Sequence, residues 1–141
     1  MSIHGIGVDQ VDLKRIRKLL KKSEAKFLKR CFTEQEIKYA KRFSDSSKRL
    51  GARFAAKEAV MKSLGKGWRE ISWRDIEITG GGKPTINTFG RALVVVEENN
   101  ISNIHISLSH ENDMAIAFAI SEKNKYSCNG SECFQVKALR K

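Results

Sequence analysis

The sequence predicts an α+β domain with a mostly antiparallel sheet packed against helices. Three observations carry this. A short alternating strand opens the chain at residues 3–9, helical spacing dominates the stretch up to Gly65, and two apolar strands close it at residues 104–109 and 114–121. No internal repeat interrupts the pattern.

Ile3-His4-Gly5-Ile6-Gly7-Val8-Asp9 reads as a strand whose side chains alternate between faces, so Gly5, Gly7 and Asp9 share one face and Ile6 and Val8 the other. Glycine is unfavourable in a strand interior unless something must come close. An acid at the strand end beside that gap marks Asp9 as a metal or ligand position. Capping of the next helix is its competing role, and Asp12 could take that role instead.

From Leu13 the spacing turns helical, and Leu13, Ile16, Leu20 and Phe27 can bury one face. Between Leu13 and Arg30 stand nine cations and one anion, Glu24, a local net charge of +8. Such a surface predicts an acidic partner, with a solvated face or a nucleic-acid patch as competing readings. Thr33 caps a short second helix with Glu36 at the capping-box position, running to about residue 43. A polar stretch at residues 44–48 leads into a third helix, which Gly65-Lys66-Gly67 ends.

On that third helix Leu50, Phe54, Met61 and Leu64 fall in one narrow sector. Glu58 and Lys62 lie just outside it, one turn apart, on a side that otherwise carries only Gly51 and Ala55. A carboxylate beside cationic groups and small residues suits phosphate chemistry and close approach of a ligand or a second chain. An ordinary surface i,i+4 pair is the competing reading, contributing a few tenths of a kcal/mol.

Residues 73–79 alternate as a strand, Gly80-Gly81-Gly82 turns the chain, and residues 84–87 return it as a hairpin. Phe89, Leu93 and Val96 mark a fourth helix that frays at residues 97–100. The closing strands meet around Glu111-Asn112-Asp113. Beyond that the character changes: residues 1–122 form the domain, and residues 123–141 form a polar, mobile tail.

With 141 residues, 40% of them hydrophobic, the chain is one domain with a core of its own. No apolar run approaches the roughly 18 residues needed to cross a bilayer, so the chain reads as soluble, unprocessed and cytoplasmic, with no membrane partner. Cys31, Cys128 and Cys133 read as free thiols in a reducing compartment, with pairing of the last two as the alternative. No companion ligands suggest zinc.

Five motifs in order carry a resemblance. Asp9 to Ile16 matches D-x-V-D-x-x-R-I, Phe32 to Glu36 matches F-T-x-x-E, and Arg53 to Lys62 matches R-F-A-A-K-E-A-x-x-K. Gly82-Lys83-Pro84 matches G-K-P, and Ser107 to His110 matches S-x-S-H. Over residues 3–122 the chain resembles the holo-[acyl-carrier-protein] synthases, the short class of 4′-phosphopantetheinyl transferases. Lys66, where Thr is common, and Glu111-Asn112, where small polar residues are usual, depart from the pattern.

The resemblance implies the 4′-phosphopantetheinyl transferase fold, a homotrimer with active sites between subunits, and a role in fatty acid biosynthesis. It implies transfer of 4′-phosphopantetheine from coenzyme A to a serine of apo acyl carrier protein, with release of adenosine 3′,5′-bisphosphate. Asp9 and Glu58 match metal ligands for Mg²⁺. Glu58 would take the serine proton, and Lys62 would neutralise the transferring phosphate. Arg53 and His110 match positions that bind the nucleotide phosphates, and the turn at Gly65 would lie against the same ligand; a satisfied histidine at a sheet end is the lesser, competing reading of His110. Lys14, Arg15, Lys18 and Lys22 would dock the acidic carrier. The alternative, a non-enzymatic basic module binding RNA or DNA, explains the charge but not the acids, and aromatic residues are not interleaved with the basic run as a stacking platform requires. Nucleic acid is therefore not expected as a partner.

Overall fold

Small side chains let one long helix lie directly on the sheet, and that contact organises the molecule. The structure, a computed structural model, describes residues 1–124. Most of the expected tail, with Cys128 and Cys133, lies outside them. Strand β1 (Ser2–Asp12) pairs antiparallel with β5 (Met114–Lys123), which pairs antiparallel with β4 (Ile101–Glu111), so the sheet order is β1-β5-β4. Helix α3 (Ser46–Leu64) crosses its inner face.

At that crossing Gly5 and Gly7 of β1, and Ala117, Ala119 and Ser121 of β5, meet Ala59 and Ser63 of the helix. A Cβ on Gly7 would come within 1.9 Å of the Ala59 carbonyl oxygen, and one on Gly5 within 2.1 Å of that of Ser63. Ser121 donates its hydroxyl to the Ser63 carbonyl at 2.7 Å across the seam. The bare strand face that glycine spacing offered to a ligand is thus filled by α3. The small-residue side of α3 is likewise covered from within the chain: a Cβ on Gly51 would meet Leu13 at 2.4 Å, and Ala55 is fully buried.

Helix α1 (Leu13–Cys31) starts from Asp12, whose carboxylate accepts from the Lys14 N–H at 2.9 Å. Asp12 therefore takes the cap and leaves Asp9 free. Ser23, with φ −151° and ψ 47°, kinks the helix into two segments. Helix α2 (Glu34–Ala40) begins with the expected capping box and ends earlier than residue 43. Asp45 caps α3, and Gly65 closes it in the left-handed region at φ 71°, where glycine carries no Cβ penalty.

Trp73–Asp75 is a 3-10 turn rather than the start of a strand, because Trp73 stacks on Phe54 at 4.6 Å and is drawn into the core. The hairpin follows as β2 (Ile76–Thr79) and β3 (Thr85–Thr88). Helix α4 (Gly90–Glu98) buries Ala92 and Val95, whereas Phe89 points outward. Asn112 and Asp113 join β4 to β5, and the Asp113 carbonyl accepts from the Leu13 N–H at 2.7 Å, fastening this turn to the start of α1. Strand β5 extends through Lys123. Among the described residues no helix is long and apolar enough to cross a membrane.

Candidate active site

Two carboxylates and a lysine converge where β1 passes the second half of α3. Asp9 alternates with Gly7 and Val11 on the helix-facing side of β1, and Glu58 and Lys62 meet it from successive turns. Lys62 Nζ donates to Asp9 Oδ1 at 3.1 Å and to the Val8 carbonyl at 2.9 Å. The Glu58 carboxyl is half-buried, and its pKa is pushed up to about 7. Burial is the largest cause, followed by the hydrogen bond and negative charge of Asp9, while Lys62 and Arg15 pull the other way. Arg15 thus brings the basic face of α1 to the edge of the carboxylate pair.

A carboxyl held partly protonated by burial and a second carboxylate is an arrangement that a divalent cation relieves, since both oxygens sets can then ionise against it. Among the described residues no cluster of three or more His, Cys, Asp and Glu could hold a metal. The chain itself therefore offers two hard oxygen donors, Asp9 and Glu58. That share fits Mg²⁺, which commonly takes one or two carboxylates and fills its remaining positions with water and substrate phosphate oxygens. One turn beyond Lys62, no heavy atom lies within 4 Å of where a Gly65 Cβ would stand, so the end of α3 presents open backbone.

The remaining expected residues fall into separate places. Arg53 is buried on another flank of α3, where it stacks on Tyr39 at 4.2 Å and donates to the carbonyls of Ile78 at 3.3 Å and Gly80 at 3.4 Å. Within one copy it braces the β2–β3 hairpin. His110 is exposed near the end of β4 and borders an open groove with Gln10, Asp12 and Lys14. Lys14, Arg15, Lys18 and Lys22 are all exposed on α1. Lys14 approaches Asp113 at 4.0 Å, while Lys18 and Lys22 make no ion pair among the described residues.

Sequence reasoning missed Lys57. Its side chain is fully buried, donating from Nζ to Glu36 at 2.5 Å and to the Trp73 carbonyl at 3.0 Å, with the Phe32 ring 5.3 Å away. Glu36 also accepts from the backbone N–H of Thr33 at 2.9 Å and of Ile78 at 3.0 Å, so one ion pair ties α2, α3 and β2 together. The signal was present: Leu50, Lys57 and Leu64 recur every seventh residue, which places the lysine on the buried stripe.

The model for the 4′-phosphopantetheinyl transferase superfamily matches residues 5–119, a span containing Asp9, Arg53, Glu58, Lys62, Gly65 and His110. The chain belongs to that superfamily. Among its members, the holo-[acyl-carrier-protein] synthase of Clostridium kluyveri is 42% identical over 125 residues, covering 87% of this chain and 92% of the relative. The crystal structure of the synthase from Neisseria meningitidis is similar with a TM-score of 0.79 at 38% identity, covering 86% of this chain and 99% of that one. The Helicobacter pylori synthase in complex with coenzyme A is similar with a TM-score of 0.72 at 33% identity, covering 83% of this chain and 99% of that one. The transferase fold expected from the motifs is the fold observed.

Proposed function

We propose that this chain transfers the 4′-phosphopantetheine arm of coenzyme A to a serine hydroxyl of an apo acyl carrier protein, releasing adenosine 3′,5′-bisphosphate. The observation that carries the reading is the meeting of Asp9, Glu58 and Lys62 at the edge of the basic helix α1. Superfamily membership and similarity to a synthase crystallised with coenzyme A support the same substrates.

Phosphoryl transfer depends mainly on positioning and charge stabilisation. Asp9 and Glu58 would hold Mg²⁺, which when bound supplies positive charge against the pyrophosphate of coenzyme A. Glu58, ionised beside the cation, would take the proton of the attacking serine. Lys62 leaves Asp9 and the Val8 carbonyl to meet the phosphate being transferred. The open turn at Gly65 gives the ligand close access to backbone beside that lysine. The serine oxygen bonds to the β-phosphorus as the bond to the bridging oxygen breaks, and the bisphosphate leaves with that oxygen. The exposed lysines Lys14, Lys18 and Lys22, with Arg15, attract the acidic carrier.

His110 is proposed to reach the nucleotide phosphates through assembly rather than within one copy, whereas Arg53, buried against Tyr39 and the carbonyls of Ile78 and Gly80, would support the β2–β3 hairpin beside the site. The outer sheet face supports a homotrimer: Ile6, Val8, Ile116 and Phe118 leave 61%, 51%, 40% and 41% of their surface exposed, an apolar patch that a second copy would cover. His110 stands near the end of β4 opposite Ala115 and borders a groove with Ile116. The setting proposed is fatty acid biosynthesis in the cytoplasm.

The test is direct. Incubated with Mg²⁺, coenzyme A and an apo carrier, the protein should add one phosphopantetheine mass to the carrier and release the bisphosphate in equal amount. Replacing the carrier serine by alanine should abolish the gain. No mass gain on any of several carriers, together with tight, salt-sensitive binding of RNA or DNA, would overturn the reading.

A further inference from the structure

Trp68 belongs to neither the core nor the site described so far. It stands on the loop at residues 65–72, with 51% of its surface exposed, although the turn beneath it is well fixed. The Gly67 carbonyl accepts from the N–H groups of Glu70 at 2.9 Å and Ile71 at 3.0 Å, and Ile71 is fully buried. The indole is therefore held outward by ordered backbone, and an apolar anchor that needs no reordering keeps more of its burial energy on binding.

Its neighbours are cationic. The Arg30 guanidinium from the end of α1 lies 5.9 Å from the ring centroid, and that of Arg69 lies 5.2 Å away. Lys66 is drawn toward Glu70 at 3.9 Å, which leaves both arginines without an acidic partner among the described residues. Both ends of α1 thus act near the helix end and loop that carry the site: Arg15 lies within charge range of Glu58, and the Arg30 guanidinium lies over the ring of Trp68, six residues after Lys62. The uncompensated face of the helix runs between them.

We infer that Trp68, rimmed by Arg30 and Arg69, is an apolar anchor for the acidic carrier, extending its docking surface from α1 onto the loop at residues 65–72. The inference rests on the transferase reading. Charge selects the occupant, because a half-exposed indole with two guanidinium groups over its ring, neither holding an acidic partner among the described residues, fits an apolar side chain surrounded by carboxylates. Exposed tryptophan and arginine at the centre of a docking surface are also the residue types that dominate binding energy.

Intrinsic fluorescence separates the possibilities, because the only other tryptophan, Trp73, is buried against Phe54. An apo carrier whose acceptor serine is replaced by alanine should blue-shift the emission of the wild-type protein and leave that of Trp68→Phe unmoved. In turnover assays Trp68→Ala should raise KM for the carrier roughly tenfold, with KM for coenzyme A within about twofold of wild type. A circular dichroism spectrum like that of wild type would confirm that the exposed substitution leaves the fold intact. Emission that shifts with coenzyme A alone would place Trp68 on the nucleotide side and overturn the anchor. Wild-type transfer with Trp68 unresponsive to carrier overturns this inference only, whereas no transfer to any carrier overturns the transferase reading with it.

Discussion

Helix α3 carries two lysines that meet carboxylates, and their surroundings differ in every physical respect. Lys57 is fully buried, its partner Glu36 is fully buried, and both are held by further hydrogen bonds. Lys62 keeps 56% of its side chain exposed and faces Asp9 and a Glu58 whose pKa is displaced upward. The first pair is a closed device whose charges are consumed by the fold. The second is an open one, with a cation free to exchange partners and an acid near its titration point. A lysine in a helix motif does not announce which kind it is; burial and the saturation of its partners do.

The largest expected effect breaks the open pair. Asp9→Ala and Glu58→Ala should each lower kcat roughly a thousandfold, about 4 kcal/mol of transition-state stabilisation. If both act through one shared cation, as proposed, the double variant should lose little beyond either single one. Thermal melting should stay near wild type in each. Steady-state kinetics of the four proteins check this, and losses that multiply in full would argue against a common site. Turnover unaffected by a chelator would remove the metal from the account.

Breaking the closed pair should act on stability instead. Lys57→Met strands the Glu36 carboxylate in the interior and should cost about 3–5 kcal/mol in denaturant unfolding. Lys62→Met should cost less than about 1 kcal/mol, because its ion pair is solvated. It should nevertheless remove most turnover. If Lys57→Met kept full stability, the link joining α2, α3 and β2 would be less important than its geometry indicates.

The same contrast explains what could be read from the chain before its structure. Capping at Thr33, the closure of α3 at Gly65 and the basic face of α1 depend on neighbours in sequence, and each was legible. Gly5 and Gly7 announced a close approach but not its partner, because only tertiary packing decides between a ligand and helix α3. Trp73 was read as strand since its stacking on Phe54 is a long-range contact, and the outward turn of Phe89 depends on the same kind of information. Asp9 was nominated by its place at a strand end beside two glycines, and Glu58 and Lys62 by their one-turn spacing on a small-residue side of α3; the family resemblance added only their roles. Their convergence needs β1 to pass α3, which no local pattern encodes. Lys57 was the avoidable miss, since its place on the Leu50–Leu64 stripe was countable.

Charge on α1 gives a smaller and more selective effect. Lys18→Glu with Lys22→Glu should raise KM for the carrier about tenfold and flatten its dependence on salt, leaving KM for coenzyme A little changed. Lys18 and Lys22 are the informative choice because Lys14 already approaches Asp113. Equal changes for both substrates would place this face at the nucleotide rather than at the carrier.

The smallest effect tests the poise of the open pair itself. Glu58 has a folded pKa of about 7 against an ordinary 4.5, so between those values the folded protein binds more protons than the unfolded chain. Stability from this group is therefore present below pH 4.5 and is lost as pH rises through about 7. Glu58→Gln, which keeps a neutral side chain of similar shape, should match wild type near pH 4 and exceed it by about 1 kcal/mol at pH 8, after discounting for partial solvent access. The comparison between the two proteins cancels the titration of other groups. Added Mg²⁺ should raise the melting temperature of wild type at pH 8 and shrink the gap, because the cation favours the ionised carboxyl that the empty pair penalises. Melting curves across pH, with and without the metal, measure both quantities. A gap that is constant with pH would show that Glu58 is not held up by burial and by Asp9, and a gap indifferent to Mg²⁺ would separate the acid's poise from metal binding.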